Sequence, residues 1–127
     1  MVKTTLSAFA VALLLFNVSA FAAGAAPAQQ KLVQQAEALV HQMAHGRYKA
    51  AEIDFNGKMK QALPPEKLKK VWHQLTTTLG PFQKTGTTKT AEYNGDTIVL
   101  VQTQFKKRTL WARVAFDKST KIAGLYF

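Results

Sequence analysis

The stretch "ALPPEKLKKVWHQLTTTLGPF" at residues 62–82 contains a complete helix with its start and stop signals. Two prolines stand at its beginning, where a backbone N–H has no helical partner to lose, and Gly80-Pro81 ends it. The apolar residues between these signals repeat at helical spacing: Leu68, Val71, Trp72, Leu75 and Leu79. The spacing predicts one buried face, with Trp72 as its largest anchor.

Residues 1–22 have the layout of a secretory signal peptide. Lys3 precedes an apolar run, and small residues at Ala20 and Ala22 follow it. The run is shorter than the roughly 20 apolar residues that a membrane-spanning helix needs. We therefore expect cleavage after Ala22 and a periplasmic or secreted location in a bacterium. The chain has no cysteine, so its exported part has no disulfide and depends on apolar packing.

The rest of the chain is expected to form a short tether at residues 23–30 and one domain at residues 31–127. Helical periodicity predicts a helix over residues 28–45 and a short one over 47–55, before the helix of the opening stretch. Alternating patterns then predict four strands, and Gly86 is a candidate β-bulge in the first of them. Asn94-Gly95 is a strong hairpin signal. Helices followed by an antiparallel meander predict an α+β fold, with the helices packed on a curved four-stranded sheet.

The strand residues also predict two faces of this sheet. Leu110, Ala112, Val114 and Phe116 form an apolar row that we expect to face the helices, together with Val99, Val101 and Phe105. Ile98, Leu100 and Trp111 then lie on the outer face. Because a sheet that is apolar on both faces needs cover on both, this pattern predicts a homodimer through the outer face. The alternative is a monomer in which Trp111 lies over the aliphatic stems of its neighbours.

Two segments carry a family resemblance. "FNGKMKQALPPEKLKKVWHQLTTTLGPFQK" and "VAFDKSTKIAGLYF" resemble an uncharacterised family of secreted bacterial domains, similar in fold to nuclear transport factor two and ketosteroid isomerase. The resemblance implies a cone-shaped arrangement of helices on the sheet. Members occur alone or ahead of an α/β-hydrolase domain. The matching positions are packing and turn residues, among them Phe55, Trp72, Gly80 and Asp117, so the resemblance implies little about function.

The residue inventory leaves little room for catalysis. After cleavage the only serine is Ser119, in a predicted turn, so no nucleophile with a base and an oxyanion donor is expected. Isomerase-like chemistry needs a carboxylate base with a phenolic donor, for which the candidates are Asp54 or Glu92 with Tyr48 or Tyr93. His41 and His45 stand at a metal-chelating spacing but on the polar side of their helix. We predict no metal site and no cofactor.

The formal net charge of +10 bears on partners rather than on fold. Lys106, Lys107 and Arg108 form a basic surface at a hairpin end, and five lysines cluster at residues 58–70. These charges are either solvated or form a docking surface for an acidic protein or an anionic envelope polymer. Nucleic acid is a poor fit, because no aromatic stacking platform accompanies the charge.

These observations favour an exported, non-catalytic binding domain. The predicted interior pocket holds a small apolar ligand or is filled by its own side chains: Tyr48, Phe55, Trp72, Phe105 and Phe116. The first alternative is a periplasmic protein–protein module, such as an inhibitor or an immunity-type partner, that uses the basic surface. The second alternative is an isomerase-like enzyme.

Overall fold

The computed structural model of the protein describes residues 27–127. Four helices precede four strands along the chain: α1 (Pro27–Ala44), α2 (Tyr48–Ala51), α3 (Gly57–Ala62), α4 (Pro65–Leu79), β1 (Phe82–Tyr93), β2 (Asp96–Phe105), β3 (Thr109–Phe116) and β4 (Ile122–Tyr126). The predicted signal peptide lies outside the described residues, and α1 begins inside the predicted tether. None of the helices in this part of the chain is long and apolar enough to cross a membrane.

The strands form one sheet in the order β1-β2-β3-β4, with every neighbouring pair antiparallel. The sheet is not closed on itself. Asn94 and Gly95 adopt φ values of 52° and 84°, which are the left-handed values that a tight hairpin between β1 and β2 requires. The pairing of β1 with β2 shifts between Thr85 and Thr88, so the bulge expected near Gly86 is present. The predicted α+β fold is therefore confirmed.

One helix is shorter than predicted and another was not predicted. The second helix covers only Tyr48–Ala51, because the following residues pair with β4 instead of continuing it. Ile122 donates its N–H to the Asp54 C=O at 2.7 Å and accepts the Asn56 N–H at 2.9 Å. Phe55 thereby forms a short parallel bridge with Ile122. The Asn56 side chain then caps α3 by accepting the Met59 N–H at 2.8 Å.

The core lies between α1 and the inward face of the sheet. The predicted apolar stripe of α1 is buried throughout: Leu32, Ala36, Leu39, Val40 and Met43. It meets the predicted inward rows of β2 and β3, in which Val99, Val101, Phe105, Ala112, Val114 and Phe116 are buried. Burial of this apolar area is the main stabilising contribution in a domain without disulfides.

Candidate functional site

The side chains predicted to line an interior pocket fall into two groups. Four of them are buried in the core: Phe55, Trp72, Phe105 and Phe116. Tyr48 is half-buried and lines a surface cleft instead. Four clefts on the surface of the described residues have linings that include no member of the buried group. A small molecule can reach those four rings only if the core opens.

The Trp72 ring is surrounded by phenylalanine rings. Its centroid lies 5.5 Å from that of Phe105, 5.6 Å from that of Phe82 and 6.4 Å from that of Phe127. Phe82 and Phe105 also meet edge to face at 6.1 Å. Rings at these separations are in contact. They fill the space between α4 and the end of the sheet where β1 begins and β2 ends.

The apolar stripe of α4 faces two different environments. Leu68 and Trp72 are buried in the core, whereas the other three members are only half-buried: Val71, Leu75 and Leu79. Together with Leu110 of β3, those three line a groove of about 330 Å³ that is open to solvent. Its polar lining residues are Gln74, Thr78 and Arg108. We call this the helix–strand groove.

The predicted basic surface is the turn between β2 and β3, and its three side chains are exposed. This turn docks on the end of α4. Lys107 donates its N–H to the Leu79 C=O at 2.8 Å, and Lys106 donates its N–H to the Pro81 C=O at 3.0 Å. Because helix C-termini carry partial negative charge, cations are favoured there. The docking holds Arg108 at the rim of the helix–strand groove.

Gly80 permits the close approach of this turn. Its φ of 85° and ψ of 180° belong to a region that only glycine adopts readily. A Cβ atom on Gly80 would lie 2.9 Å from the Lys106 Cβ, closer than two such atoms pack. The Gly80-Pro81 stop signal in the sequence therefore also fixes the position of the basic turn.

A second cleft, of about 490 Å³, lies between the α1–α2 turn and the beginning of α4. Its cationic side chains are Arg47, Lys49 and Lys69, and Tyr48 and Glu66 also line it. Burial raises the pKa of the Tyr48 phenol above its usual range. We call this the basic cleft. Apart from Pro65 it has no aliphatic side chain larger than alanine.

The carboxylates and phenols named for the isomerase alternative differ in their exposure. Glu92 is exposed and accepts the Thr97 hydroxyl at 2.8 Å, and Tyr93 is exposed as well. Asp54 is half-buried. The most buried carboxylate is Glu52, with 9% of its surface exposed, and the sequence did not single it out. Its Oε2 atom has no hydrogen-bond partner among the described residues, and desolvation raises its pKa, an effect that Lys60 opposes.

The Asp117 carboxylate links the β3–β4 turn to the segment before α3 through hydrogen bonds. Its Oδ1 accepts the N–H groups of Ser119 and Lys121 at 2.9 and 3.0 Å. Its Oδ2 accepts the Asn56 side-chain amide at 3.1 Å. The pKa of Asp117 is lowered mainly by the hydrogen bond from the Lys121 N–H, and the bonds from Asn56 and Ser119 lower it further. Partial burial acts in the opposite direction and raises it. This aspartate, which belongs to the family resemblance, therefore holds turns in place.

The outer face of the sheet carries exposed aromatic rings with cations beside them. Trp111 is 37% exposed, and the Lys89 ammonium lies 5.2 Å from its ring centroid. The Arg113 guanidinium lies 6.0 Å from the Tyr126 ring. Ile98 is already buried by its neighbours within the chain. Cation–π contacts of this kind partly cover the aromatic surface, and the homodimer through Ile98, Leu100 and Trp111 stays a prediction.

The two histidines of α1 make separate contacts. His45 Nδ1 donates to the His41 C=O at 2.7 Å, and His41 Nε2 lies 3.4 Å from the Thr85 hydroxyl. Within the described residues, no three side chains of the metal-binding types form a group that could hold an ion.

The fold and these surfaces define a class: an α+β domain with a densely packed aromatic core and grooves on its surface. The chain belongs to a family described as "Protein of unknown function (DUF3887)", which matches residues 36–125. A comparison with curated proteins gives no significant match. The fold is similar to an NMR structure of a protein from Ruminococcus gnavus ATCC 29149, with a TM-score of 0.59 and 12% identity over 77% of this chain and 89% of that one.

Sequence reasoning assigned the whole stripe of α4 to the core and so missed the helix–strand groove. The stripe gave no signal of this division, because helical spacing alone does not tell which members of an apolar face pack into the core. The buried Glu52 gave no signal either, because it stands in a segment whose helix ends earlier than its periodicity predicts.

Proposed function

We propose that this is an exported, non-catalytic binding domain that takes an amphipathic anion in the helix–strand groove. The observation that carries the proposal is the lining of this groove, in which four half-buried aliphatic side chains stand together with the exposed Arg108. Ligand sites typically combine a mostly apolar lining with a few polar groups that fix orientation. An alkyl chain that ends in a carboxylate matches both parts of this groove.

The filled core supports a surface site over an interior one. The side chains that would line an interior pocket pack against one another, so a ligand there would have to displace them. We therefore place the small, largely apolar ligand on the outer side of α4 and not in the interior. Export through the N-terminal signal, and a cone-shaped fold like that of nuclear transport factor two, belong to the same proposal. The mass of the exported chain tests cleavage after Ala22.

Calorimetric titration of the exported chain with decanoate tests the proposed ligand, and decanol is the uncharged control. We expect decanoate to bind and Arg108→Glu to weaken it by about tenfold, because a hydrogen bond to a charged group contributes about 1.5–3 kcal/mol. Lys118→Glu makes the same charge change at the opposite end of β3 and should leave binding unchanged. Equal losses in the two variants, or no binding of decanoate, would refute the proposed site.

A protein–protein module is the second candidate, and the docked basic turn favours it. Because two backbone hydrogen bonds fix this turn on α4, its three cations are held together on the surface. An acidic partner bound there should dissociate as salt rises. Light scattering of the exported chain separately tests the homodimer through the outer face. A monomer at tens of micromolar would exclude that interface.

A further inference from the structure

The basic cleft is a second surface cavity with the size of a ligand site. Its volume is about 490 Å³, and sites for small molecules commonly measure roughly 300–1,000 Å³. It lies at the beginning of α4, whereas the helix–strand groove follows later residues of the same helix, and the two share no lining residue. A ligand in the basic cleft would therefore bind independently of a ligand in the groove.

Backbone hydrogen bonds fix the wall of this cleft that the α1–α2 turn forms. Gly46 donates its N–H to the Met43 C=O at 3.1 Å, and Arg47 donates its N–H to the Gln42 C=O at 2.8 Å. With the left-handed φ of 73° at Gly46, these are the two hydrogen bonds of a Schellman motif. The Ala51 N–H then bonds to the Arg47 C=O at 3.0 Å and begins α2. The chain itself therefore holds this wall in one conformation.

The wall formed by the beginning of α4 is fixed by two prolines. Their rings restrict the backbone of Pro64, whose φ is −65°, and of Pro65, the first residue of the helix. The Leu68 N–H bonds to the Pro64 C=O at 3.0 Å and closes the first turn. A site with walls that are ordered in advance loses less conformational entropy on binding, which favours affinity.

The charges of the two walls favour an anionic ligand. Arg47 and Lys49 extend from the α1–α2 turn and Lys69 from α4, and all three are exposed. They outnumber the one carboxylate of the lining, that of Glu66. A guanidinium matches the geometry of a carboxylate, with which it forms two parallel hydrogen bonds. The cleft is therefore complementary to a ligand that carries a carboxylate.

The other lining residues indicate the rest of such a ligand. Tyr48 and Pro65 supply ring surfaces, and the Glu66 carboxylate accepts hydrogen bonds. A bare phosphate ion would leave the two rings unused and be repelled by Glu66. An alkyl acid would use the rings but offer Glu66 no donor. A sugar acid has a ring with C–H groups, hydroxyl donors and a carboxylate, so it matches all three kinds of lining group.

We propose that the basic cleft binds an acidic sugar, as one hexuronate unit of an anionic polysaccharide. The sugar carboxylate pairs with Arg47 and Lys69, a sugar hydroxyl donates to Glu66, and the pyranose ring lies against Tyr48. This inference goes beyond the proposed function, because it concerns a different site and a different class of ligand.

Titration of the protein with trigalacturonate, followed by amide chemical shifts at about 0.15 M salt, tests this site. We expect saturable shifts at the amides of Arg47, Tyr48 and Lys69, with half-saturation below about 5 mM. The methyl ester of trigalacturonate has the same rings without the charge and should bind at least about tenfold more weakly. Absence of saturable shifts below that concentration, or equal affinity for the ester, would overturn the proposal.

Two lysines of α4 provide matched variants. Lys69→Glu reverses a charge in the cleft and should weaken trigalacturonate at least about tenfold. Lys67→Glu makes the same change at an exposed residue that lies on another side of the helix and does not line the cleft. Because salt screens this more distant charge, we expect a loss below about threefold. Equal losses would mean general attraction to a basic protein and no specific site.

Glu66→Ala separates a sugar site from a site for any anion. Removal of this negative charge should strengthen binding of inorganic phosphate, whereas trigalacturonate loses its hydroxyl acceptor and should bind about threefold more weakly. Tighter binding of trigalacturonate to this variant, or phosphate binding as tight as that of trigalacturonate to the unmodified protein, would refute the sugar site. Arg108→Glu, which tests the groove, should leave trigalacturonate binding unchanged, so the two sites are tested separately.

Discussion

Replacement of Trp72 by alanine tests whether the interior is filled or hollow. Trp72 is 5% exposed and contacts three aromatic rings, so nearly all of its surface leaves water on folding. A tryptophan buries about 150–250 Å², and removal of such a side chain from a packed core costs about 3–5 kcal/mol. In an open cone, where the ring lines a solvent-filled pocket, the loss would be much smaller.

The other tryptophan of the chain provides a matched control. Trp111 is 37% exposed on the outer face, where its main specific contact is with Lys89. We expect Trp111→Ala to lower the free energy of unfolding by about 1 kcal/mol or less. Urea unfolding followed by far-ultraviolet circular dichroism measures both variants without depending on tryptophan fluorescence. A loss below about 1.5 kcal/mol for Trp72→Ala, similar to that for Trp111→Ala, would refute a filled core.

Three further variants test structural assignments through unfolding experiments. The lowered pKa of Asp117 contributes stability above its unfolded pKa, so Asp117→Asn should cost about 1–2 kcal/mol at pH 7, and the difference should shrink as pH falls below about 4. A difference in unfolding free energy that stays constant across this pH range would contradict a stabilising role for the Asp117 charge. Glu52 has a raised pKa, so its charge opposes folding at neutral pH. Glu52→Gln should raise stability by about 1 kcal/mol at pH 7, and this gain should disappear below about pH 4. Gly80→Ala should cost about 1–3 kcal/mol because of its φ and the contact with Lys106, whereas Gly57→Ala, with open space around it, should be nearly neutral. Equal effects of the two glycine variants would contradict the docking of the basic turn.

The sequence predicted those parts of the fold that local patterns determine. The Asn94-Gly95 hairpin and the helix between Pro65 and Leu79 each depend on residues within a few positions, and both are present. The inward row of β3 was also predicted, because alternation assigns each residue to a face once the direction of the core is known. Ala112, Val114 and Phe116 are buried, and Trp111 and Arg113 are exposed.

The parts that were missed depend on long-range pairing. The helix expected over residues 47–55 stops at Ala51 because Asp54 and Asn56 bond to the distant Ile122, which local periodicity does not reveal. The division of the α4 stripe between core and groove follows from the path of α4 relative to β3. Only the three-dimensional arrangement determines which side of an amphipathic helix stays open to solvent.

For the binding site, the sequence predicted the types of residue better than their arrangement. The apolar residues of α4 and the basic hairpin end were both recognised, but they were assigned to two different functions. The docking of the turn on the end of α4 brings Arg108 to the rim of the groove that Leu75 and Leu110 line. The association of a cation with an aliphatic surface therefore emerges only in the folded chain.

The most direct test of the groove as the binding site is a set of intermolecular nuclear Overhauser effects between unlabelled decanoate and the methyl-labelled protein. If decanoate occupies the groove, its alkyl chain contacts the methyl groups of Val71, Leu75 and Leu110. Contacts from the same alkyl chain to the buried methyl groups of Leu39 and Val114 would place the ligand in the interior and contradict the proposed site.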